Sequence, residues 1–152
     1  MLDPNKIKAQ ILEDVKTELT DEFDRNFQRK GFFSSPWKPR AHEYPRGSLL
    51  LVTGAMRRSI KSSVEGDGVR FTSAMPYTAI HNEGGTGFKP VKAHMRRSKK
   101  GKTYNVRAHQ RRFTMPKRQF IGDGPDTQRI IRDAIEDNLQ QYNLTLKNFI
   151  KK

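Results

Sequence analysis

Between Thr86 and Phe120 the chain carries twelve lysines and arginines and not one aspartate or glutamate. Most of these cations must lie on the surface, because each one taken out of water without a partner is heavily penalised. This one segment also holds most of the excess in a chain whose net charge is +14. Charge so confined suits a polyanion or an acidic protein surface, and is costly self-repulsion without one.

The basic stretch has internal order. Val91-Lys92-Ala93-His94-Met95-Arg96-Arg97 returns as Val106-Arg107-Ala108-His109-Gln110-Arg111-Arg112, around a polar connection from Ser98 to Tyr104 that contains Gly101. Two alternating arms about a glycine-bearing turn predict a β-hairpin over about 88–114, too polar to be buried on both faces and so projecting from the body. Contact with the counter-charge falls to Lys92, Arg96, Arg97, Lys99, Lys100, Lys102, Arg107, Arg111 and Arg112. The aromatics Phe88, Tyr104 and Phe113 are too sparse for a base-stacking platform, so contact with nucleic acid would be made to backbone phosphates. A nucleic acid and an acidic protein partner both remain open on these residues.

The two ends of the chain read as helices. Asp3 can cap, Pro4 suits a first helical position, and Gly31 can close the far end, which predicts a helix over Pro4–Lys30. Its apolar residues Ile7, Ile11, Val15, Leu19, Phe23 and Phe27 recur every fourth position as one slowly drifting stripe. A second helix is predicted from Pro125 or Asp126 to about Ile150. There Ile135, Leu139, Tyr142, Leu146 and Phe149 follow a four-three-four-three spacing, with Ile131 one turn earlier, a coiled-coil-like seam for the other helix, the sheet or a neighbouring subunit.

Between the helices, residues 31–48 hold three prolines and no periodicity, a loop with aromatic anchors in which Trp37 plugs the edge of a core. Gly66-Asp67-Gly68 is turn chemistry between alternating runs and predicts a hairpin of about 57–65 with 68–74. Pro76 opens a short helix over Tyr77–Glu83, closed by Gly84 and Gly85. The expected fold class is α+β: one domain over 1–152 with a small, mostly antiparallel sheet from the two hairpins and the 118–121 segment, flanked by long N- and C-terminal helices. At 34% apolar and 30% charged residues the composition is lean for a compact globule and favours an elongated subunit or one completed by neighbours.

Several function classes find no support in these residues. Without cysteine there is no disulfide framework, thiolate metal site or cysteine nucleophile. The four histidines, His42, His81, His94 and His109, stand in no i, i+4 pair with another ligand, and His94 and His109 sit among cations that would repel a metal. The glycine clusters lack a P-loop's lysine and hydroxyl, and no nucleophile, base and orienting group occur together. The expectation is a non-enzymatic protein without cofactor. No apolar run approaches the roughly 20 residues that cross a bilayer, and none resembles a secretory signal, so the chain is expected to be made in the cytosol and to stay soluble.

Four stretches, read in order, carry a resemblance. They are Trp37-Lys38-Pro39; Leu50-Leu51-Val52-Thr53-Gly54-Ala55-Met56-Arg57-Arg58-Ser59-Ile60; Pro76-Tyr77-Thr78-Ala79-Ile80-His81-Asn82-Glu83-Gly84-Gly85; and Met115-Pro116-Lys117-Arg118-Gln119-Phe120-Ile121-Gly122. With the flanking helices, their order and spacing resemble the phage virion morphogenesis family over most of the chain. The resemblance implies a structural role for Trp37, Thr53, Gly54, Arg57, Ser59, Ile60, Tyr77, Ile80, His81, Gly84, Gly85, Pro116, Arg118 and Phe120. It further implies a virion protein of the neck or tail junction that completes the tail as a homo-oligomeric ring. Its partners would be head-closure or portal-side proteins and tail-tube proteins, with genomic DNA in the lumen. The basic hairpin is longer than the family's usual loop, so its role is not carried over. The competing expectation from another class is a cytosolic nucleic-acid-binding protein using residues 89–118 on phosphates.

Overall fold

The computed structural model describes residues 3–42 and 44–150, the last three by backbone alone. Helix α1 spans Pro4–Arg29. It starts where expected, since the Asp3 carboxylate accepts from the Asn5 amide and Pro4 occupies the first turn. Its end differs from expectation: the left-handed cap is Lys30, φ 57°, and not Gly31. Gly31 is needed for another reason. It opens strand β1 (Gly31–Phe32) against β2 (Ser35–Pro36), where a Cβ would come within 2.6 Å of the Ser35 carbonyl oxygen.

Val15, Leu19, Phe23 and Phe27 of the α1 stripe are buried. The upper pair, Val15 and Leu19, packs with Phe23 against Ile130 and Ala134 of the last helix, α4, which runs Pro125–Ile150. Phe27 belongs to a second cluster with Trp37, Met56 and Phe120, its ring centroid 4.8 Å from that of Phe120 and 5.8 Å from that of Trp37. Trp37 closes this cluster and donates its indole N–H to the Gln119 carbonyl.

Between the clusters lies the first hairpin. The stretch expected to start a strand at residue 57 is instead a short helix, α2 (Ala55–Ser59), and the ladder is β3 (Ile60–Glu65) with β4 (Gly68–Ser73). Met56 explains the difference: one helical turn points it into the Phe27 cluster, and the Ser59 hydroxyl bonds back to the Met56 carbonyl at 2.7 Å. Ile60, Ser62 and Val64 then alternate inward, with Phe71 of β4 set 5.1 Å from Phe23.

Helix α3 covers Thr78–Glu83. The basic segment forms one ribbon from two ladders, β5 (Gly85–Val91) with β8 (His109–Met115), and β6 (His94–Arg97) with β7 (Thr103–Val106). Pairing passes from Val91 opposite His109 to His94 opposite Val106, so the register is unbroken across the gap. The chain is α+β with long terminal helices and small antiparallel ladders. The expected shared sheet is not found among the described residues: each ladder is two-stranded, and segment 118–121 joins none of them. Its backbone is held by asparagine side chains instead, Asn82 on one side and Asn26 on the other.

On α4 the contact with α1 runs through Ile130, Ile131 and Ala134, with the Asn138 amide donating to the Asp14 carboxylate. The seam residues Ile135 and Leu139 stay 37% and 45% exposed and face away from that contact, open to a neighbouring subunit. Tyr142 and Leu146 are partly exposed, and the side chain of Phe149 lies outside the described residues. The contact follows the first turns of α4 because Gly124 and Thr127 bring them close: the Thr127 hydroxyl donates to the Gly122 carbonyl, and Phe32 fills the space beside Gly124.

Candidate functional site

Two features stand apart from the core, the basic ribbon and a pocket at its foot. Along the ribbon, Lys92, Arg96, Arg97, Lys99, Lys100, Lys102, Arg107, Arg111 and Arg112 are all exposed, and among the described residues none of them meets a carboxylate. Phe88 and Met95 are 69% and 63% exposed. The internal repeat has a structural counterpart. His94 Nδ1 lies 2.9 Å from the Lys92 carbonyl and His109 Nδ1 2.9 Å from the Arg107 carbonyl, so each arm repeats the same local turn opposite the other. These turns occupy the gap between the ladders, where Lys92-Ala93 face Arg107-Ala108.

The ribbon is anchored at its foot by α3 and the segment after β8. The Arg118 amide donates to the His81 carbonyl at 3.0 Å, and Gly84 (φ 74°) lies so close to Lys117 that a Cβ would meet the Lys117 nitrogen at 2.7 Å. Gly84 is therefore held both by its left-handed backbone and by contact. Its amide closes α3 on the Ile80 carbonyl, and the Ile80 side chain borders Gly85. Pro116 is half-buried in the connection.

Five residues singled out from three distant stretches line one cavity of about 250 Å³: Thr53, Gly54, Tyr77, His81 and Arg118. Arg40 joins them. Arg118 is only 6% exposed, and its guanidinium donates to the Lys38 and Pro39 carbonyls at 2.9 and 3.2 Å. Burial and the Arg40 charge both push its pKa down, although a guanidinium stays protonated. Burial, and then Arg118, pushes His81 down, so the ring is neutral at pH 7. Its Nδ1 is buried without a partner among the described residues, and Tyr77 meets the ring edge-on at 6.1 Å.

The remaining motif residues lie elsewhere. Arg57 makes a two-pronged ion pair with Asp24 of α1. Ser59 bonds to Ser73, and Ser73 to Thr78, each at 2.7 Å, linking α2, β4 and α3. Ile60, Trp37 and Phe120 belong to the Phe27 cluster. Sequence reasoning passed over Arg40, Asn26 and Asn82. Asn82 lay within a quoted motif, but only the fold reveals that its amide serves the 118–121 backbone.

No group of three or more histidine and acidic side chains able to hold a metal occurs among the described residues, and no helix there is long and apolar enough to cross a membrane. Comparison with curated proteins and with solved structures finds no match. The model of the phage virion morphogenesis family matches residues 3–140 of the 152, and the chain belongs to that family.

Proposed function

We propose that this virion morphogenesis protein is a non-enzymatic structural subunit of the neck, completing the tail at the head-to-tail junction. Copies form or join a ring between portal-side and tail-tube proteins, and the basic ribbon faces the DNA that passes through the lumen. The observation that carries this reading is the ribbon: nine exposed cations on a two-stranded arm in continuous register, with no acid in the whole stretch. A duplex offers closely spaced negative charge of no particular sequence, which suits cations on flexible side chains and needs no base recognition.

Replacing Arg96, Arg97, Arg111 and Arg112 with glutamine tests it. Duplex affinity should fall for every sequence alike, and the slope of log K against log salt should flatten by roughly 0.9 for each phosphate no longer neutralised. Incorporation into particles should fall with it. Unchanged DNA binding with failed incorporation would place the ribbon on an acidic neighbouring protein instead. A protein that binds nucleic acid but never co-purifies with particles would be a cytosolic nucleic-acid-binding protein.

A further inference from the structure

We infer that the cavity shared by the motif residues is a receptor for a carboxylate, taking the side chain of an aspartate or glutamate on a neighbouring protein of the particle. The inference rests on the virion reading for the identity of the neighbour, not for the chemistry of the pocket. A buried guanidinium is ordinarily compensated by an acid. Arg118 has only two carbonyls, those of Lys38 and Pro39, and among the described residues no ion pair includes it. Arg40 sits close enough to depress it further, with its own guanidinium on the Ser48 carbonyl at 2.6 Å and 5.5 Å from the Tyr44 ring centroid. Two like charges beside one recess are an unfavourable arrangement that one anion would reverse.

The lining selects the kind of anion. Leu49, Leu50, Val52 and Met56 line the same cavity with apolar side chains, which suits a charged head on a short aliphatic stem. A duplex phosphate is esterified on both sides and sits on a broad ridge, so it cannot enter a recess of about 250 Å³ to reach Arg118, a residue only 6% exposed. Arg40 and Leu49 also line an adjoining groove of about 800 Å³ with Trp37, Pro39 and Tyr44. That groove has room for the backbone of the segment bearing the acid. The guanidinium hydrogens of Arg118 and Arg40 that the Lys38, Pro39 and Ser48 carbonyls leave free, with His81 beside them, would serve the two oxygens of a carboxylate.

The test uses the full-length protein and N-acetyl-glutamyl amide, with N-acetyl-glutaminyl amide as the uncharged counterpart, followed through the His81 ring resonances. The glutamyl probe should shift them in a saturable manner and the glutaminyl probe should not. Arg40→Gln should weaken the response severalfold, and Arg40→Lys should retain part of it. Val52→Glu, at an exposed position on the cavity wall, should abolish it by supplying a carboxylate from the chain itself. In particles, Arg40→Gln and Val52→Glu should both be incorporated poorly while melting as the parent does. Equal shifts from both probes, a response indifferent to Arg40, or a short DNA duplex that moves His81 as strongly as the glutamyl probe would each overturn the assignment. So would normal incorporation of both variants. The resonance shifts do not depend on where the protein sits in the particle, and the ribbon's salt slope does not depend on the pocket, so the two readings fail separately.

Discussion

Asn82 sits in a six-residue helix, yet its side chain makes the hydrogen bonds that a neighbouring strand would supply. Oδ1 accepts from the Phe120 and Ile121 amides at 2.9 and 3.1 Å, and Nδ2 donates to the Ile121 carbonyl at 3.0 Å. On the other side, fully buried Asn26 donates to the Phe120 carbonyl at 3.1 Å and accepts from the Phe33 amide at 2.9 Å. Between them they satisfy a backbone that must pass through the core to place Phe120. Asn82→Ala leaves three such groups unpaired, at about 1 to 3 kcal/mol for each that water cannot reach. A drop of at least about 2 kcal/mol in urea denaturation is expected on that count. A drop below about 0.5 kcal/mol, the scale of an ordinary surface change, would mean that solvent replaces the amide. These roles were hidden in the sequence because an asparagine's partners are set by the fold and leave no periodic trace.

At the scale of elements, α1 and α4 pack through Val15, Leu19, Ile130 and Ala134, and Asp14, Asp133 and Asp137 act on Glu18 beside that contact. Burial, and then the charges of Asp14, Asp137 and Asp133, raises the Glu18 pKa above its ordinary value. A carboxyl raised on folding opposes stability once it is ionised. The penalty is absent below the ordinary carboxylate pKa and develops as pH rises through the folded value. Glu18→Gln should therefore raise the melting temperature at pH 7 and leave it unchanged near pH 3; a gain that persists at pH 3 would point to packing and not to charge. Both long helices were legible because a four-residue apolar period and proline starts leave few alternatives. Which turns of α4 meet α1 was legible only at Ile131. The regular spacing of Ile135, Leu139, Tyr142 and Leu146 draws attention to its later turns, whereas the contact runs through Ile130 and small Ala134, joined by a threonine that no apolar pattern would select. Residues 57–59 and 118–121 were misassigned for a related reason: alternation over three or four residues does not separate a strand from a helical turn or a pinned extended segment.

The whole molecule divides its work by charge. Neither buried cluster contains a residue of the ribbon, so the body's stability and the ribbon's cations draw on different parts of the chain. The ribbon's charges and its hairpin form were legible from composition and repeat, since nothing so basic could be interior. The pocket at its foot was not, because Thr53, Tyr77 and Arg118 meet only through tertiary structure. The separation makes a strong prediction about truncation. Val91 and His109 face each other in register, so residues 92–108 can be replaced by Asn-Gly, whose backbone suits a two-residue hairpin turn. That variant discards seven lysines and arginines and no acid. Because no buried side chain is removed, its melting temperature should stay within a few degrees of the parent's, the change that about 1 kcal/mol produces in a domain of this size. Its duplex binding should fall, with a flatter salt slope, and its incorporation into particles should fail. A collapse in melting temperature would show that the outer ribbon is structurally part of the body, whereas a stable variant that still binds DNA with the parental salt slope would move the nucleic-acid contact to the cations that remain near the foot.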